Sequence, residues 1–218
     1  MKTYHKIQSI FKRDPDNNYK TFIDGAWSVD AFGLLKDLEW TFTEKIDGTN
    51  IRIGWNNIAG DVTFGGRTDN ADIPGQLATY MAEHFGFERM FKLSGPVTLI
   101  GEGFGGKIQK GSRYSQEQRF ILFDVYVEPI EDHPMGIFLE RNIVEEIATL
   151  LDIPVVPIVH KGPLLDGIHL CRDCKVFTSL VAHDKTLNAE GVVARPSVEL
   201  FDRLGRRVIT KIKTKDFP

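Results

Sequence analysis

Lys45 lies in the segment Glu44-Lys45-Ile46-Asp47-Gly48-Thr49-Asn50, at the end of an alternating run and beside an Asp-Gly turn signal. A lysine amine is a nucleophile only after losing its proton, and a free lysine titrates near ~10.4. Partial burial or a neighbouring cation lowers that value. Lys211-Ile212-Lys213 offers two such cations. Residues two apart on a strand point to one face, so both ammonium groups can stand together. Beside Lys45 they would depress its proton affinity and neutralise charge developing on a phosphate. Glu190 is the first carboxylate suited to a divalent cation and Asp124 the second. Mg²⁺ prefers oxygen ligands and keeps several waters, so one or two carboxylates suffice. The chemistry open to this set is attack of a neutral amine on a phosphoryl group, driven by positioning and electrostatics. Each piece also has a bland reading: Lys45 as a surface strand-turn lysine, Phe123 as a core aromatic, Lys211 and Lys213 as a solvated strand face.

The elements that must position these groups follow from periodicity. Trp40–Glu44 and Asn50–Trp55 alternate as half-buried strands do, and Asp61–Gly66 follows a turn at Asn56–Gly60. The three read as an antiparallel meander, with Asp47-Gly48 as its first tight turn. Pro74–Lys92 reads as a helix that Gly86 breaks or bends, with Leu77, Met81, Ala82 and Phe85 at helical spacing. Val97–Ile100 and Arg119–Val127 are strands rich in β-branched and aromatic residues. Leu139–Leu151 is a second helix with Ile143, Ile147 and Leu150 on one face; Glu190–Arg195 and Arg207–Ile212 are the last strands. Without a regular βαβ beat, this is α+β with mostly antiparallel sheets and flanking helices.

The motifs resemble, in order, those of the covalent nucleotidyltransferases, and most of all the RNA ligase branch related to nick-sealing phage enzymes. Glu44–Asn50 is similar to motif I, whose lysine carries the nucleotide. Phe64-Gly65-Gly66-Arg67-Thr68 resembles motif Ia, and Gly101-Glu102-Gly103-Phe104-Gly105-Gly106 motif III. Phe120–Val125 resembles motif IIIa, Glu190–Arg195 motif IV and Lys211-Ile212-Lys213 motif V. The resemblance implies a nucleotidyltransferase (ATP-grasp-like) fold spanning 1–218 as one catalytic domain. It implies a lysyl-AMP at Lys45, a ribose hydroxyl held by Glu102 and a purine stacked on Phe123. Arg67 would lie near ribose or phosphate, Lys211 and Lys213 at the α-phosphate, and Glu190 near a Mg²⁺ or Mn²⁺ ion. Glu44 and Asn50 belong, in that family, to the nucleic-acid steps. The implied substrates are ATP and RNA with 5′-phosphate and 3′-hydroxyl ends, in single strands or nicked duplexes. Relatives continue past motif V into a C-terminal domain, whereas this sequence ends at Pro218. A DNA ligase, a capping-type guanylyltransferase using GTP, and a catalytically idle RNA-binding domain remain as alternatives.

Net charge is −3, so composition alone announces no nucleic-acid binder, although segregated charges can still make a basic face. Lys107, Lys110 and Arg113, directly after the motif III glycines, form a candidate RNA contact. No run approaches the ~20 apolar residues of a membrane span, and the polar opening Met1–Lys6 has no signal core. The reading is a cytoplasmic, monomeric enzyme. His169, Cys171, Cys174 and His183 could bind zinc, but their spacing matches no standard finger, and metal-free cysteines are the preferred reading.

Overall fold

Short strands dominate the structure, a computed structural model that describes residues 1–109, 111–173 and 177–217. The chain opens with β1 (Gln8–Ser9), β2 (Phe11–Arg13), β3 (Phe22–Trp27) and helix α1 (Asp30–Leu34). Next come β4 (Trp40–Lys45), β5 (Thr49–Asn56), β6 (Asp61–Gly66) and helices α2 (Gly75–His84) and α3 (Phe87–Met90). β7 (Val97–Phe104), α4 (Gly111–Tyr114), β8 (Arg119–Val127), β9 (Ile137–Phe138) and α5 (Arg141–Leu151) follow. The last third holds β10 (Ile158–Gly162), α6 (Asp166–Ile168), β11 (Gly191–Pro196) and β12 (Thr210–Lys213). The class is α+β with mostly antiparallel sheets, as expected. Within the span 1–218 the chain divides into two compact units. One is Met1–His5 with Asp47–Val156; the other is Lys6–Ile46 with Pro157–Pro218.

The first unit is built on an antiparallel five-stranded sheet, ordered β6-β5-β7-β8-β9. Alternate residues Ile51, Ile53 and Trp55 of β5, with Leu99 of β7 and Phe120, Leu122 and Val125 of β8, face one core. Leu77 and Met81 of α2 cover it, as does α5. Gly86, in extended conformation, separates α2 from α3, so the break expected there is real; glycine in a helix interior costs ~1 kcal/mol. The face of α5 differs from expectation. Val144, Ala148 and Leu151 are buried, while Leu150 is 47% exposed. Residues i, i+4 and i+7 form the stripe that meets the sheet, and Ile143 and Ile147 only flank it.

The second unit carries the sheet β1-β12-β11-β4-β10, antiparallel except for the parallel β1–β12 pair. The β2–β3 hairpin stands apart from it. Trp40, Phe42, Val192, Ala194 and Ile212 build a core with Ile10, Phe11 and Phe32. Trp40 also satisfies its indole by donating to the Leu35 carbonyl at 2.9 Å. The expected meander is therefore wrong in one partner. β5 and β6 form a hairpin, but β4 pairs with β10 and β11 in the other unit's sheet. Asp47-Gly48 is not a hairpin turn but the point where the chain passes from one unit to the next. Gly48 sits so close to β7 that a Cβ there would lie 2.3 Å from the Gly103 carbonyl, and β5 begins pairing with β7 at once. Alternation identifies strands; it does not choose their partners.

Candidate active site

In the second unit, three strand ends meet in register. Gly191, the first residue of β11, pairs with Lys45 on one side and with Lys213 on the other. Gly191 has φ of +151°, and a Cβ there would lie 2.0 Å from the Ile212 carbonyl. Only glycine lets β12 approach this closely. Glu190, the preceding residue, is thereby delivered to both lysines. Lys45 Nζ donates to Glu190 Oε2 at 2.6 Å and Lys213 Nζ to Oε1 at 2.5 Å. All three side chains are largely shielded, with 20%, 12% and 20% exposure for Lys45, Glu190 and Lys213. Burial pushes the Glu190 carboxyl up, but the two ammonium groups outweigh it and hold it below the usual carboxylate range. Lys211 shares the half-buried face of β12 with Lys213, as the two-residue spacing predicts. Burial lowers its proton affinity, and the charges of Lys213, Lys45 and Lys6 lower it further. A phosphate reaching this cluster meets several cations prepared by the fold.

Glu44 points elsewhere. It is 2% exposed, accepts hydrogen bonds from the Ser179 hydroxyl and from the Leu180 N–H at 2.9 Å, and so ties down the turn that follows β10 and α6. Ser179 in turn accepts from the Ala182 N–H at 3.0 Å. Burial raises the Glu44 carboxyl above its ordinary value, against these bonds. Its surroundings are those of a buried anchor. Ser179 carries no sequence signal that marks it as the partner.

The first unit gathers a second set on the face of its sheet opposite the core. Asn50 of β5 pairs directly with Glu102 of β7, so both side chains emerge side by side. Among the described residues Asn50 Oδ1 is buried without a partner, an acceptor the fold leaves for something else. The β7–β8 register shifts between Ile100↔Asp124 and Gly101↔Leu122, leaving Phe123 out of the ladder as a bulge. Bulges re-aim side chains, and Phe123 is half-buried with the Tyr4 ring 5.3 Å away. Tyr4 donates to Asp124 Oδ2 at 2.6 Å. Asp124, at 2% exposure, is thus a buried, hydrogen-bonded carboxylate, whereas Glu190 keeps 12% exposure between its two lysines. Arg67 is exposed just beyond β6. The end of that strand is held by Arg52, fully buried, which donates to the Gly66 carbonyl at 2.5 Å and pairs with Asp69 at 2.8 Å. No motif marks Arg52 or Tyr4 for these roles; a lone arginine inside the alternating run 50–55 is the local hint for the first.

Lys107 and Arg113 are exposed in the first unit beside a turn in which Gly105 has φ of +93°; Lys110 falls outside the described residues. So does Cys174 of the zinc alternative. Cys171 is buried with Sγ donating to the Ile212 carbonyl at 3.5 Å, and His169 pairs with Asp173 at 2.7 Å. Among the described residues no group of three or more His, Cys, Asp or Glu gathers, and no helix is long and apolar enough to cross a membrane.

No curated protein sequence matches the chain. Among solved structures, a mutant of Naegleria gruberi RNA ligase with ATP and Mn aligns with a TM-score of 0.63 at 18% identity, over 85% of this chain and 52% of that one. Another mutant of it, with AMP and Mn, aligns at 0.64 and 18%, over 95% and 56%. The same enzyme with PPi aligns at 0.64 and 18%, also over 95% and 56%. The chain thus spans little more than half the length of these structures, and at such identity the likeness speaks for the fold. The profile of the RNA ligase family matches residues 38–213. That span runs from just before β4 to the last residue of β12 and includes every strand that carries a candidate residue, so the chain belongs to the RNA ligase family.

Proposed function

We propose that the chain is an ATP-dependent RNA ligase, working through a lysyl-AMP at Lys45. The observation that carries this reading is the Lys45–Glu190–Lys213 cluster, placed by strand register at the end of three paired strands. Lys45 Nζ attacks the α-phosphorus of ATP; the P–N bond forms, the bond to the β-phosphate oxygen breaks, and pyrophosphate leaves. The AMP then moves to the 5′-phosphate of RNA, and a 3′-hydroxyl displaces it.

The residues divide the work. Glu190 orients the amine of Lys45 but is a poor base, because the paired ammonium groups hold its carboxyl in the ionised form. Lys211 and Lys213 neutralise the α-phosphate, standing together on one face of β12 beside Glu190 and Lys45. Glu102 takes a ribose hydroxyl, Phe123 stacks on the purine, and Arg67 reaches ribose or phosphate. The unpaired Asn50 acceptor serves the RNA steps, while Glu44 supports them by holding the Ser179 turn. Lys107 and Arg113 add an RNA contact, to which the sequence alone assigns Lys110. The oxygens of Glu190 are hard donors that fit a Mg²⁺ or Mn²⁺ ion arriving with ATP, where it would supply further neutralisation of phosphate charge. The 218 residues act as one catalytic domain, monomeric and cytoplasmic, on single strands or nicked duplexes.

The test is incubation with labelled ATP, GTP or NAD and Mg²⁺, followed by denaturing electrophoresis. Label from ATP should appear on the wild type and fall by on the order of 10⁴-fold or more in Lys45→Ala, as for loss of a covalent nucleophile. Label from GTP alone would make the enzyme a capping-type guanylyltransferase.

A further inference from the structure

The second unit holds an open cleft of about 630 Å³ that includes Lys211 and Lys213 and extends past them to the β2–β3 hairpin. One wall is Lys6, before β1, and the β2–β3 hairpin with Lys12, Arg13 and Lys20; Lys211, Lys213 and Lys215 line the other. Among the described residues lining it, the single acid is Asp216, already paired with Arg13 at 2.7 Å. The charge of the cleft is therefore strongly positive, and the parallel β1–β12 pairing sets this wall beside the catalytic lysines. Lys6 lies close enough for its charge to act on Lys211.

The turn joining β2 to β3 adds an aromatic. Asn18 and Tyr19 have φ of 51° and 58°, two consecutive left-handed residues that are not glycine. That conformation costs on the order of 1–3 kcal/mol per residue and persists only where the surroundings impose it. Here the Tyr19 N–H donates to the Asp14 carbonyl at 2.8 Å, and Arg13 reaches the carbonyls of Tyr19 and Lys20 at 3.4 and 3.3 Å. The result is a Tyr19 ring 64% exposed on the rim of a basic cleft.

Cations that track a phosphate backbone, interleaved with an exposed aromatic on which a base can stack, are the recognition chemistry of single-stranded nucleic acid. A triphosphate or pyrophosphate accounts for cations near Lys211 and Lys213. It does not account for Lys12 and Lys20 on the far wall, nor for the presented ring. We infer that this cleft seats a single-stranded RNA segment leading to the ligation site, its phosphates on Lys6, Lys12, Lys20 and Lys215 and one base on Tyr19. The inference rests on the RNA ligase reading, but its test separates the two.

The experiment measures binding of a 5′-phosphorylated single-stranded RNA, without ATP, across a salt series, and lysine adenylylation of the same proteins with ATP. Lys12→Ala/Lys20→Ala removes two phosphate contacts, so the log–log salt slope should flatten by about 1.4 and affinity near ~0.1 M salt should drop about 25-fold. Tyr19→Ala should lose about tenfold and Tyr19→Phe almost nothing, since the stacking face is retained. Adenylylation rate and KM for ATP should stay at wild-type values, and unchanged melting curves would show that the hairpin still folds. Unchanged RNA affinity in the double variant, with adenylylation intact, overturns the inference. So does a raised KM for ATP with RNA affinity intact, which would assign the cleft to the triphosphate. A wild type that takes no label from ATP sinks the ligase reading instead, whatever the RNA data.

Discussion

The two units of this chain carry opposite charge. The first has 10 basic and 16 acidic residues, net −6; the second has 17 and 14, net +3. Their candidate sites differ in the same way. In the first unit Asn50, Glu102 and Phe123 offer acceptors and an aromatic ring on the outer face of a sheet. In the second, Lys45, Lys211 and Lys213 collect at strand ends around one carboxylate. Sugar and base are recognised by directed hydrogen bonds and stacking, whereas a reacting phosphate demands positive charge. A chain of net charge −3 thus sorts its charges between units instead of diluting them over the whole, which gives the second unit a positive field suited to the polyanionic substrate proposed for it.

That division of labour can be broken. Glu190→Gln keeps the shape but removes the charge that gathers Lys45 and Lys213, and adenylylation at saturating ATP should fall about 10²–10³-fold, the usual cost of one electrostatic element. A raised KM for ATP with an unchanged rate would place Glu190 with the recognition groups and erase the contrast. Glu44→Ala strips the partner from Ser179 and from the Leu180 N–H, and should lower unfolding free energy by about 2–4 kcal/mol in urea titrations. A stable variant that fails only in RNA sealing would return Glu44 to direct contact with substrate. Phe123→Ala should raise KM for ATP about tenfold through lost stacking, while Phe123→Trp keeps near wild-type values. An effect on rate alone would count against a purely recognising first unit.

The smallest effect is a pH dependence within the second unit. Glu190 has a folded pKa below its ordinary 4.5, so it contributes stability that is present above pH 4.5 and lost as pH falls further. The gap in unfolding free energy between wild type and Glu190→Gln should thus hold above pH 4.5 and shrink below it. Glu44 behaves oppositely: its raised pKa means that burial disfavours the ionised form, so its own contribution grows as pH falls through that value. A gap for Glu190→Gln that widens in acid would mean the lysines do not dominate its surroundings.

Much of this was legible in the residues. The strands β5, β6 and β8, the break at Gly86 and the shared face of Lys211 and Lys213 follow from periods of two and 3.6 and from glycine's helix cost. Other features were invisible. The α5 stripe needed the position of the sheet, since apolar residues at 143, 147 and 150 are compatible with a neighbouring face. Tyr4 and Arg52 act through partners 120 and 17 residues away, and nothing local in the chain records such distances.

By itself the sequence marked the residues proposed to carry chemistry, because lysine spacing, glycine runs and acid placement are local properties, and it marked most of the strands that bear them. Only the tertiary structure decided the company they keep. Strand pairing is non-local, so β4 could be seen as a strand without showing that it leaves β5 for β11 and thereby brings Glu190 to Lys45. The basic cleft is of the same kind: its cations come from the two ends of the unit's sequence, and only the pairing of β1 with β12 makes them one surface.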